Sequence, residues 1–311
     1  MKVFRSISAI KSISESVLAI GGFDGVHHGH KEILRKLVNE SRKAGIPSVL
    51  LTFSPVPFSV LSPDLFLGHI DTFNERIKKI KKSGIDILCM LPFNESLRTV
   101  TAQNFLNDIL INNFNPKTIV VGYDHHFGYK KEGDFNFLKK NASKYSFNLI
   151  LIKKVKTNTE HNLSSSAIRE LLKNGDIASA NLLLGSYFTI KGVVIKGQKL
   201  GSKIGFPTIN IKLDPHKIIP SRGVYIVVAK IFNKKYKAIC NIGFSPTFSN
   251  KKNIKIEAHV LDFNKDVYGE EVSIEFLDFI RFEKKFQSVE MLKRQILKDK
   301  NKCLEYSFKN S

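Results

Sequence analysis

Residues 17–30 read VLAIGGFDGVHHGH, and this stretch decides how the first half of the chain folds. Four apolar residues, typical of a buried parallel strand, run into two glycines and then into a segment with helical periodicity over residues 30–44. Glycine lets the backbone approach a phosphate closely, and a helix N-terminus offers free N–H groups and the positive end of a dipole. The stretch therefore predicts a strand, a phosphate-binding loop and a helix, in that order.

The same alternation continues to about residue 185. We predict parallel strands over residues 17–22, 48–53, 85–91, 118–121 and 147–152. Helices are predicted over residues 30–44 and 73–82, each closed by a glycine, and residues 164–184 predict two short helices separated by Asn174-Gly175. Strands that alternate with helices indicate an α/β, Rossmann-like, doubly wound domain.

After Gly185 the pattern changes to β-branched and aromatic runs at close spacing. These runs predict strands over residues 188–195, 223–231, 236–242, 254–261 and 272–279, and an amphipathic helix follows over residues 288–302. Short strands separated by turn residues are typical of a small antiparallel β-barrel. We therefore predict two domains, 1–185 and 186–311, with the C-terminal helix closing the second.

Composition narrows the class of protein. The chain has 311 residues, a length at which two domains are expected, and 42% of its residues are hydrophobic. No apolar run is long enough to span a membrane, and the run at residues 17–20 precedes glycines rather than a cleavage site, so we expect a cytoplasmic protein with no membrane partner. Its three cysteines are far apart, which argues against structural zinc or a disulfide framework.

The net charge of +21 would attract any polyanion, nucleic acid and phosphorylated small molecules alike. Most of the excess is lysine in short groups spread over both halves, without an arginine-rich arm. We therefore expect no nucleic-acid partner, and a basic nucleic-acid-binding protein stays only as a remote alternative.

Two segments of the first half carry candidate phosphate ligands. His27 and His30 flank Gly29 beside the predicted helix end, where two imidazoles can donate hydrogen bonds to a triphosphate. The run SSSAIR at residues 164–169 stands where another loop enters a helix and offers hydroxyls, N–H groups and the guanidinium of Arg169. Taken singly, these segments are better explained as an ordinary loop and as a serine N-cap with a solvated arginine.

In the second half, residues 196–210 read KGQKLGSKIGFPTIN. A glycine-rich loop with lysines can fold over phosphates, while the Thr208 hydroxyl and the Asn210 amide, two residues apart on an extended chain, can reach one Mg²⁺. A flexible hairpin connection remains an alternative. The spacing differs from that of a Walker loop.

Both halves together resemble the bacterial bifunctional riboflavin kinase and FAD synthetase family, whose first domain belongs to the nucleotidyltransferase superfamily. The resemblance covers nearly the whole chain, with the motifs in the family's order: GFDGVHHGH from Gly22, VVGYDHHFG from Val120, EGD from Glu132, SSSAIRELL from Ser164, GVY from Gly223, NIGFSPTF from Asn241 and IEAHVLDF from Ile256.

The resemblance implies ATP as co-substrate, Mg²⁺ as cofactor, and riboflavin and FMN as substrates. It implies catalytic roles for Glu257, His27, His30 and Arg169, and Mg²⁺ binding by Thr208 and Asn210. It also implies flavin contacts for Phe53, Asp124 and Arg281. The implied nucleotide-binding residues are Gly22, Phe23, Asp24, Gly25, Gly29, Ser164, Ser165, Ser166, Gly197, Lys199, Lys203, Gly205, Phe206, Pro207 and Thr208.

The two implied reactions need different groups. FMN adenylylation starts from a phosphate that is already anionic, so it needs donors and cations rather than a strong base. Riboflavin phosphorylation starts from an alcohol, which benefits from a carboxylate that accepts its proton, and Glu257 is the candidate. His259, two residues further along the strand, is interpreted as a packed histidine.

Three departures from the family pattern leave one closer alternative open. Gly22 stands where asparagine is usual, Val56 where histidine is common and His126 where arginine is usual. The runner-up hypothesis is therefore a riboflavin kinase whose N-terminal domain has weakened or altered adenylyltransferase activity. Oligomeric state is left open as well, with weak self-association as one option.

Overall fold

The computed structural model describes residues 1–10, 13–155, 157, 161–244 and 254–307. The chain divides into two compact units, Met1–Ser165 and Ser166–Ser311. The predicted boundary near residue 185 lies downstream of this division, because nearly all of the helix Ser165–Asn174 and the whole of the helix Ile177–Leu184 fall in the second unit. No helix in the described ranges is long and apolar enough to cross a membrane.

The first unit is built on a six-stranded parallel sheet with the strand order β1-β4-β3-β2-β5-β6. Its strands are β1 Lys2–Phe4, β2 Ser16–Ile20, β3 Ser48–Phe53, β4 Ile87–Leu91, β5 Pro116–Gly122 and β6 Asn148–Ile152. Alternate residues of β2 enter different cores: Leu18 and Ile20 belong to one apolar cluster, Val17 and Ala19 to the other. Both faces of the sheet are therefore covered, as a parallel sheet requires.

Helices and short helical turns connect these strands. They are α1 His28–Ala44, α2 Pro57–Leu61, α3 Phe73–Lys81, α4 Glu95–Arg98, α5 Ala102–Asn104, α6 Asn112–Phe114 and α7 Phe135–Ala142, with 3₁₀ turns at Pro63–Leu65 and Tyr129–Lys131 and a π-helix at Phe105–Ile111. Helix α3 begins with a capping box formed by Thr72 and Glu75. Within the sheet, β2 has β3 as its neighbour on one edge and β5 on the other. The chain order therefore runs in opposite directions away from the gap between β2 and β5. In open α/β sheets, ligands bind at the carboxyl ends of the strands at such a point.

The second unit begins with two short helices and continues as a closed six-stranded barrel with the order β10-β11-β8-β7-β12-β9, antiparallel in every pairing. The elements are α8 Ser165–Asn174, α9 Ile177–Leu184, β7 Phe188–Ile195, α10 Leu200–Lys203, β8 Ile209–Lys212, β9 Gly223–Ile231, β10 Lys234–Phe244, β11 Ile254–Val260, β12 Glu271–Arg281 and α11 Val289–Glu305.

Strand β11 shows how the barrel separates its core from its chemistry. Ile256, Ala258 and Val260 are buried, whereas Lys255, Glu257 and His259 between them are only partly covered. Because successive side chains of a strand point to opposite faces, the three polar residues share one face of β11.

The predicted fold class is confirmed, and β3, β7 and β9 have the predicted bounds. Several boundaries were wrong by a few residues: β2 ends at Ile20 rather than at residue 22, and α1 begins at His28 rather than at residue 30 because His27 is its N-cap. Strand β8 was interpreted only as extended chain and β1 was missed, since three or four residues are too few to show a period. Residues 245–248 of the segment compared with the family lie outside the described residues.

Candidate active sites

A cavity of about 660 Å³ lies in the first unit, at the switch point between β2 and β5. The loop after β2 and the loop after β5 form two of its walls, and a third comes from the segment that precedes α8. Nine of the predicted site residues line it: Gly22, Phe23, His27, Gly29, His30, Phe53, Asp124, Ser164 and Ser165.

The two histidines form a stacked pair at the start of α1. Their ring centroids are 3.7 Å apart and the ring planes differ by 18°. Nδ1 of His27 accepts a hydrogen bond from the backbone N–H of His30 at 3.4 Å, so this imidazole caps the helix. The stack therefore stands at the positive end of the α1 dipole.

Burial determines the charge state of this pair. It lowers the pKa of His27 to about 4 and holds the pKa of His30 well below its ordinary value, with His27 and Arg76 adding to the second effect. Both imidazoles are neutral near pH 7 as a result. Nδ1 of His30 is buried and has no hydrogen-bond partner among the described residues, so a ligand that reaches it would satisfy a polar atom.

Asp24 and Gly25 were predicted to bind nucleotide, but they are not among the described residues that line the cavity. The Asp24 carboxylate accepts hydrogen bonds from the backbone N–H groups of Ile70 and Asp71, at 3.1 and 3.0 Å. Its backbone carbonyl accepts one from the Ser165 hydroxyl at 2.9 Å. Gly25 has φ +82°, in the left-handed region that glycine adopts without strain. These contacts of Asp24 fix the position of the loop that follows β2.

Aromatic side chains line another part of the same cavity. The Phe53 ring lies 5.9 Å from the Phe93 ring and 6.5 Å from the Phe105 ring, and the Phe105 and Phe127 rings are 5.4 Å apart. Sequence reasoning selected only Phe53 from this group. The other three carry no local pattern that separates a cavity wall from a core position.

The loop after β5 adds polar atoms. The predicted residue Asp124 lines the cavity, and its backbone carbonyl lies 3.0 Å from Nδ1 of His126. Burial lowers the pKa of His125 to about 4, and its Nε2 is buried with no hydrogen-bond partner in the described part of the chain. His125 was missed as a candidate, although it stands in the quoted motif. Ser166 and Arg169 belong to the second unit, where Arg169 is buried on α8.

A second cavity, of about 310 Å³, lies on the barrel. Glu257, Phe206, Thr208 and Arg281 are the predicted residues that line it. The missed residues include Asn241, Lys255, Lys284 and Asp299. Pairing of β10 with β11 brings Asn241 beside Glu257, whereas Asp299 reaches the site from helix α11.

Strand register places Glu257 in a polar row. It pairs with Asn210 of β8 on one side and with Asn241 of β10 on the other. Directly paired residues point to the same face of a sheet. Lys255, on that face of β11, makes an ion pair of 2.7 Å with Glu257 Oε1.

Asn210 carries a further indication of a ligand. It is buried, and its Oδ1 has no hydrogen-bond partner among the residues described. Gly197 crosses directly above it, since a Cβ at Gly197 would collide with the Asn210 amide. Amide oxygens suit Mg²⁺, so the predicted metal pair of Thr208 and Asn210 fits that ion. The described ranges contain no group of three or more His, Cys, Asp or Glu side chains that could hold a metal ion.

The loop over Asn210 has two left-handed residues and is anchored to His259 near its end. Lys199 and Gly205 both have left-handed φ values, +56° and +89°, at the two ends of α10. The carbonyl of Pro207 lies 2.7 Å from Nδ1 of His259, whose ring packs edge-on against Phe206. This contact agrees with the interpretation of His259 as a packed histidine. Lys203 is the last residue of α10.

Arg281 is anchored by the C-terminal helix. Its Nη2 lies 2.7 Å from Oδ2 of Asp299, and its Nε donates to both oxygens of that carboxylate at 3.1 and 3.0 Å. Gln295 donates a further bond of 2.8 Å to Asp299. Asp299 is fully buried, so Arg281 stands at the cavity wall in a fixed orientation.

The fold and the two cavities together define a two-domain transferase that acts on nucleotide phosphates, with one site in an α/β unit and another on a β-barrel. A family model described as FAD synthetase matches residues 9–167, and one described as riboflavin kinase matches residues 184–307. The chain belongs to the bifunctional riboflavin kinase/FMN adenylyltransferase family and carries both activities.

Similar proteins of known sequence support this membership over the full length. Bifunctional riboflavin kinase/FMN adenylyltransferases from Buchnera aphidicola (subspecies Schizaphis graminum), Bacillus subtilis and Escherichia coli K12 are 40%, 35% and 34% identical to the chain. The matches cover 96%, 94% and 98% of this chain and 96%, 93% and 98% of the relatives.

A solved structure described as a macrolide-efflux protein from Streptococcus pneumoniae superposes with a TM-score of 0.89 at 34% identity, covering 98% of this chain and 99% of its own. That description concerns the other protein. Both family models that match the present chain are those of flavin-forming enzymes.

Proposed function

We propose that the cavity of the first unit transfers AMP from ATP to FMN, and that the barrel cavity transfers the γ-phosphoryl group of ATP to riboflavin. The observation that carries the proposal is the contrast between the two cavities. The first has a neutral imidazole pair at a helix N-terminus, whereas the second has a carboxylate between two asparagines.

In the first cavity, an FMN phosphate oxygen attacks the α-phosphorus of ATP. A P–O bond forms, the bond from the α-phosphorus to the bridging oxygen breaks, and pyrophosphate leaves. His27 and His30 donate hydrogen bonds to the phosphate oxygens, where charge accumulates, and the α1 N-terminus adds its dipole. The backbone around Gly22, Phe23 and Gly29 surrounds the nucleotide.

The segment that enters α8 completes the nucleotide site. Ser164 and Ser165 line the cavity and offer hydroxyl groups, and we assign further phosphate contacts to Ser166 and Arg169. Asp24 and Gly25 act indirectly, by holding the loop in shape. Phe53 and Asp124 contact the flavin, Phe53 through its ring and Asp124 through its carboxylate.

In the barrel cavity, Glu257 accepts the proton of the riboflavin hydroxyl while that oxygen attacks the γ-phosphorus. The bond to the β,γ-bridging oxygen breaks and ADP leaves. Residues Gly197, Lys199, Lys203, Gly205, Phe206 and Pro207 form the cover over the phosphates. Arg281 orders the flavin side of the site.

Thr208 and Asn210 would hold Mg²⁺ through their side-chain oxygens. When bound, this ion neutralises charge on the phosphates of ATP. The orphan Oδ1 of Asn210 supports the assignment.

The test is a two-product assay on the full chain. Riboflavin, ATP and Mg²⁺ should give FMN first and FAD afterwards, and FMN supplied with ATP should give FAD directly. Chromatography measures both products over time. FMN without FAD would favour the runner-up hypothesis of a kinase with an altered first domain. Absence of both products under varied metal and redox conditions would contradict the proposal.

We also propose a functional boundary near residue 185, with residues 1–185 carrying the first reaction and residues 186–311 the second. The family models leave residues 168–183 between them, which covers most of α8 and α9. We further propose that the protein is cytoplasmic and that it self-associates weakly. Size-exclusion chromatography over a range of protein concentrations tests the self-association.

A further inference from the structure

Arg76 on α3 is a buried cation that neither the motif analysis nor the proposed mechanism uses. Its side chain is 3% exposed, although arginine is seldom fully buried without partners. Since a guanidinium keeps its proton in proteins, the structure has to compensate a buried positive charge. The groups that compensate the charge of Arg76 therefore indicate the role of this residue.

The guanidinium donates to two backbone carbonyls. Nη1 donates to Gly22 O at 3.0 Å and Nη2 donates to Phe53 O at 2.9 Å. Gly22 lies in the loop that leads from β2 to the histidine pair, and Phe53 is the last residue of β3. One planar group therefore bridges the carboxyl ends of two neighbouring strands, at the edge of the sheet where the first cavity lies, and the Thr52 hydroxyl donates to the same Gly22 carbonyl at 3.1 Å.

A second contact holds the same loop to the segment just before α3. The Asp24 carboxylate accepts the backbone N–H groups of Ile70 and Asp71. The carboxylates of Asp24 and Asp71 also stabilise the charge of Arg76 against burial. The loop is thus fixed at two points, Gly22 and Asp24. Both contacts come from α3 and the segment that leads into it.

We propose that Arg76 is a positioning residue for adenylyl transfer, which holds the Gly22 loop and the Phe53 strand end at the spacing that the reacting phosphates require. The proposal rests on the proposed role of His27 and His30 at this cavity. Arg76 does not line the cavity within the described part of the chain, so it acts through the backbone and not by touching substrate. Errors of about 1 Å in the placement of reacting groups cost about 100-fold in rate.

The experiment compares Arg76→Met and Arg76→Lys in the full chain. Methionine removes both hydrogen bonds, and we expect the kcat of FAD formation from supplied FMN to fall about 100-fold. Lysine keeps the charge but lacks the planar fork that reaches two carbonyls at once, so we expect a smaller loss of about 10-fold. FMN formation from riboflavin in the same preparation should stay within about twofold of wild type, because that reaction is assigned to the barrel cavity of the second unit.

Ile80→Ala is the matched control. Ile80 is fully buried on the same helix and belongs to the apolar core, but its side chain has no donor for the carbonyls of Gly22 and Phe53. Its loss weakens the packing of α3 without removing either hydrogen bond. Hydrogen exchange over residues 1–165, read by mass spectrometry, reports how much of the first unit is folded in each variant.

A selective fall in the kcat of FAD formation for Arg76→Met supports the proposal if it is partly restored in Arg76→Lys and absent from Ile80→Ala, with equal hydrogen-exchange protection of the first unit in all three variants. If Arg76→Met does not fold, the test depends on Arg76→Lys. A rate of FAD formation in Arg76→Lys within twofold of wild type overturns the proposal. Equal losses in Ile80→Ala and the Arg76 variants also overturn it, since helix packing would then explain them. His30→Ala measured in parallel separates the two failures, because unchanged FAD formation in that variant would overturn the proposed function itself.

Discussion

The two cavities of this chain offer different chemical groups to ATP, the co-substrate that the proposed function assigns to both. In the first, burial keeps two stacked imidazoles neutral at a helix N-terminus. In the second, a carboxylate stands between Asn210 and Asn241 with Lys255 at 2.7 Å. A phosphate nucleophile is already ionised and needs only donors, whereas an alcohol must lose a proton. Under the proposed function, the ionisation state of the nucleophile, rather than the shared ATP, therefore determines which residues each site needs.

The strongest test of this contrast is Glu257→Gln. The amide keeps the shape of the side chain but cannot accept the hydroxyl proton, so we expect FMN formation to fall about 1,000-fold, within the range for loss of a general base. FAD formation from supplied FMN should be unchanged. The measurement is the initial rate of each product by chromatography.

Glu275→Gln is the control for that change. Glu275 makes the same kind of strand-borne ion pair, with Lys235 at 3.9 Å, but it does not line the described cavity. Its kinase rate should match wild type. A kinase rate for Glu257→Gln within tenfold of wild type would remove the proton-acceptor role.

His30→Ala tests the other side of the contrast. Removing one preorganised donor at a developing oxyanion costs about 100-fold to 1,000-fold in kcat. We expect this loss in FAD formation, with FMN formation unaffected. His28→Ala is the matched control, because His28 is the exposed neighbour on the same helix and does not line the described cavity. Equal losses of both activities in His30→Ala would contradict two independent sites.

The neutral histidines also make a prediction about stability. The unfolded chain takes up a proton on each histidine near pH 6.5, whereas burial lowers the pKa of His27 and His125 in the folded chain to about 4. Between these values the unfolded state binds more protons, so the stability of the first unit falls as the pH drops from about 6.5 to 4. For His27 alone the difference is roughly 3 kcal/mol.

Hydrogen exchange read by mass spectrometry at several pH values would measure this loss within the first unit. His125→Phe should make the pH dependence shallower, since it removes one of the titrating groups. The same pH dependence in that variant and in wild type would exclude His125 as a source of the effect.

Sequence reasoning identified what lies close together along the chain. The apolar run, the glycines and the histidine pair follow one another within residues 17–30, so their order alone predicted the strand, the loop and the helix end. The closed barrel followed from regularly spaced runs in the same way. Glu257 was assigned by resemblance, and its role stays a prediction.

The remaining features depend on pairing between distant segments. Asn210 meets Glu257 only through the β8–β11 register, across 46 intervening residues, and Asn241 meets it through the β10–β11 register. Arg76 reaches Gly22 across 53 intervening residues. A lysine or arginine on an amphipathic helix carries no local pattern that distinguishes a solvated charge from a buried one. For the same reason, Asp24 was assigned to the nucleotide although its carboxylate faces the backbone N–H groups of Ile70 and Asp71.

The smallest expected effect concerns Gly22, where the family usually has asparagine. A Cβ at Gly22 would meet nothing within 4 Å, and Gly22 is not among the residues with positive φ, so Gly22→Asn should fold with stability within about 0.5 kcal/mol of wild type. Its side chain would enter the first cavity and add a donor near the phosphates. We expect kcat/KM for FAD formation to rise about threefold to tenfold, the worth of one modest hydrogen bond, and FMN formation to stay constant. Initial rates with both substrates varied would measure this. A fall in FAD formation with unchanged thermal stability would show instead that the first cavity uses the open space at Gly22, and the two sites would then differ in how closely each encloses its nucleotide.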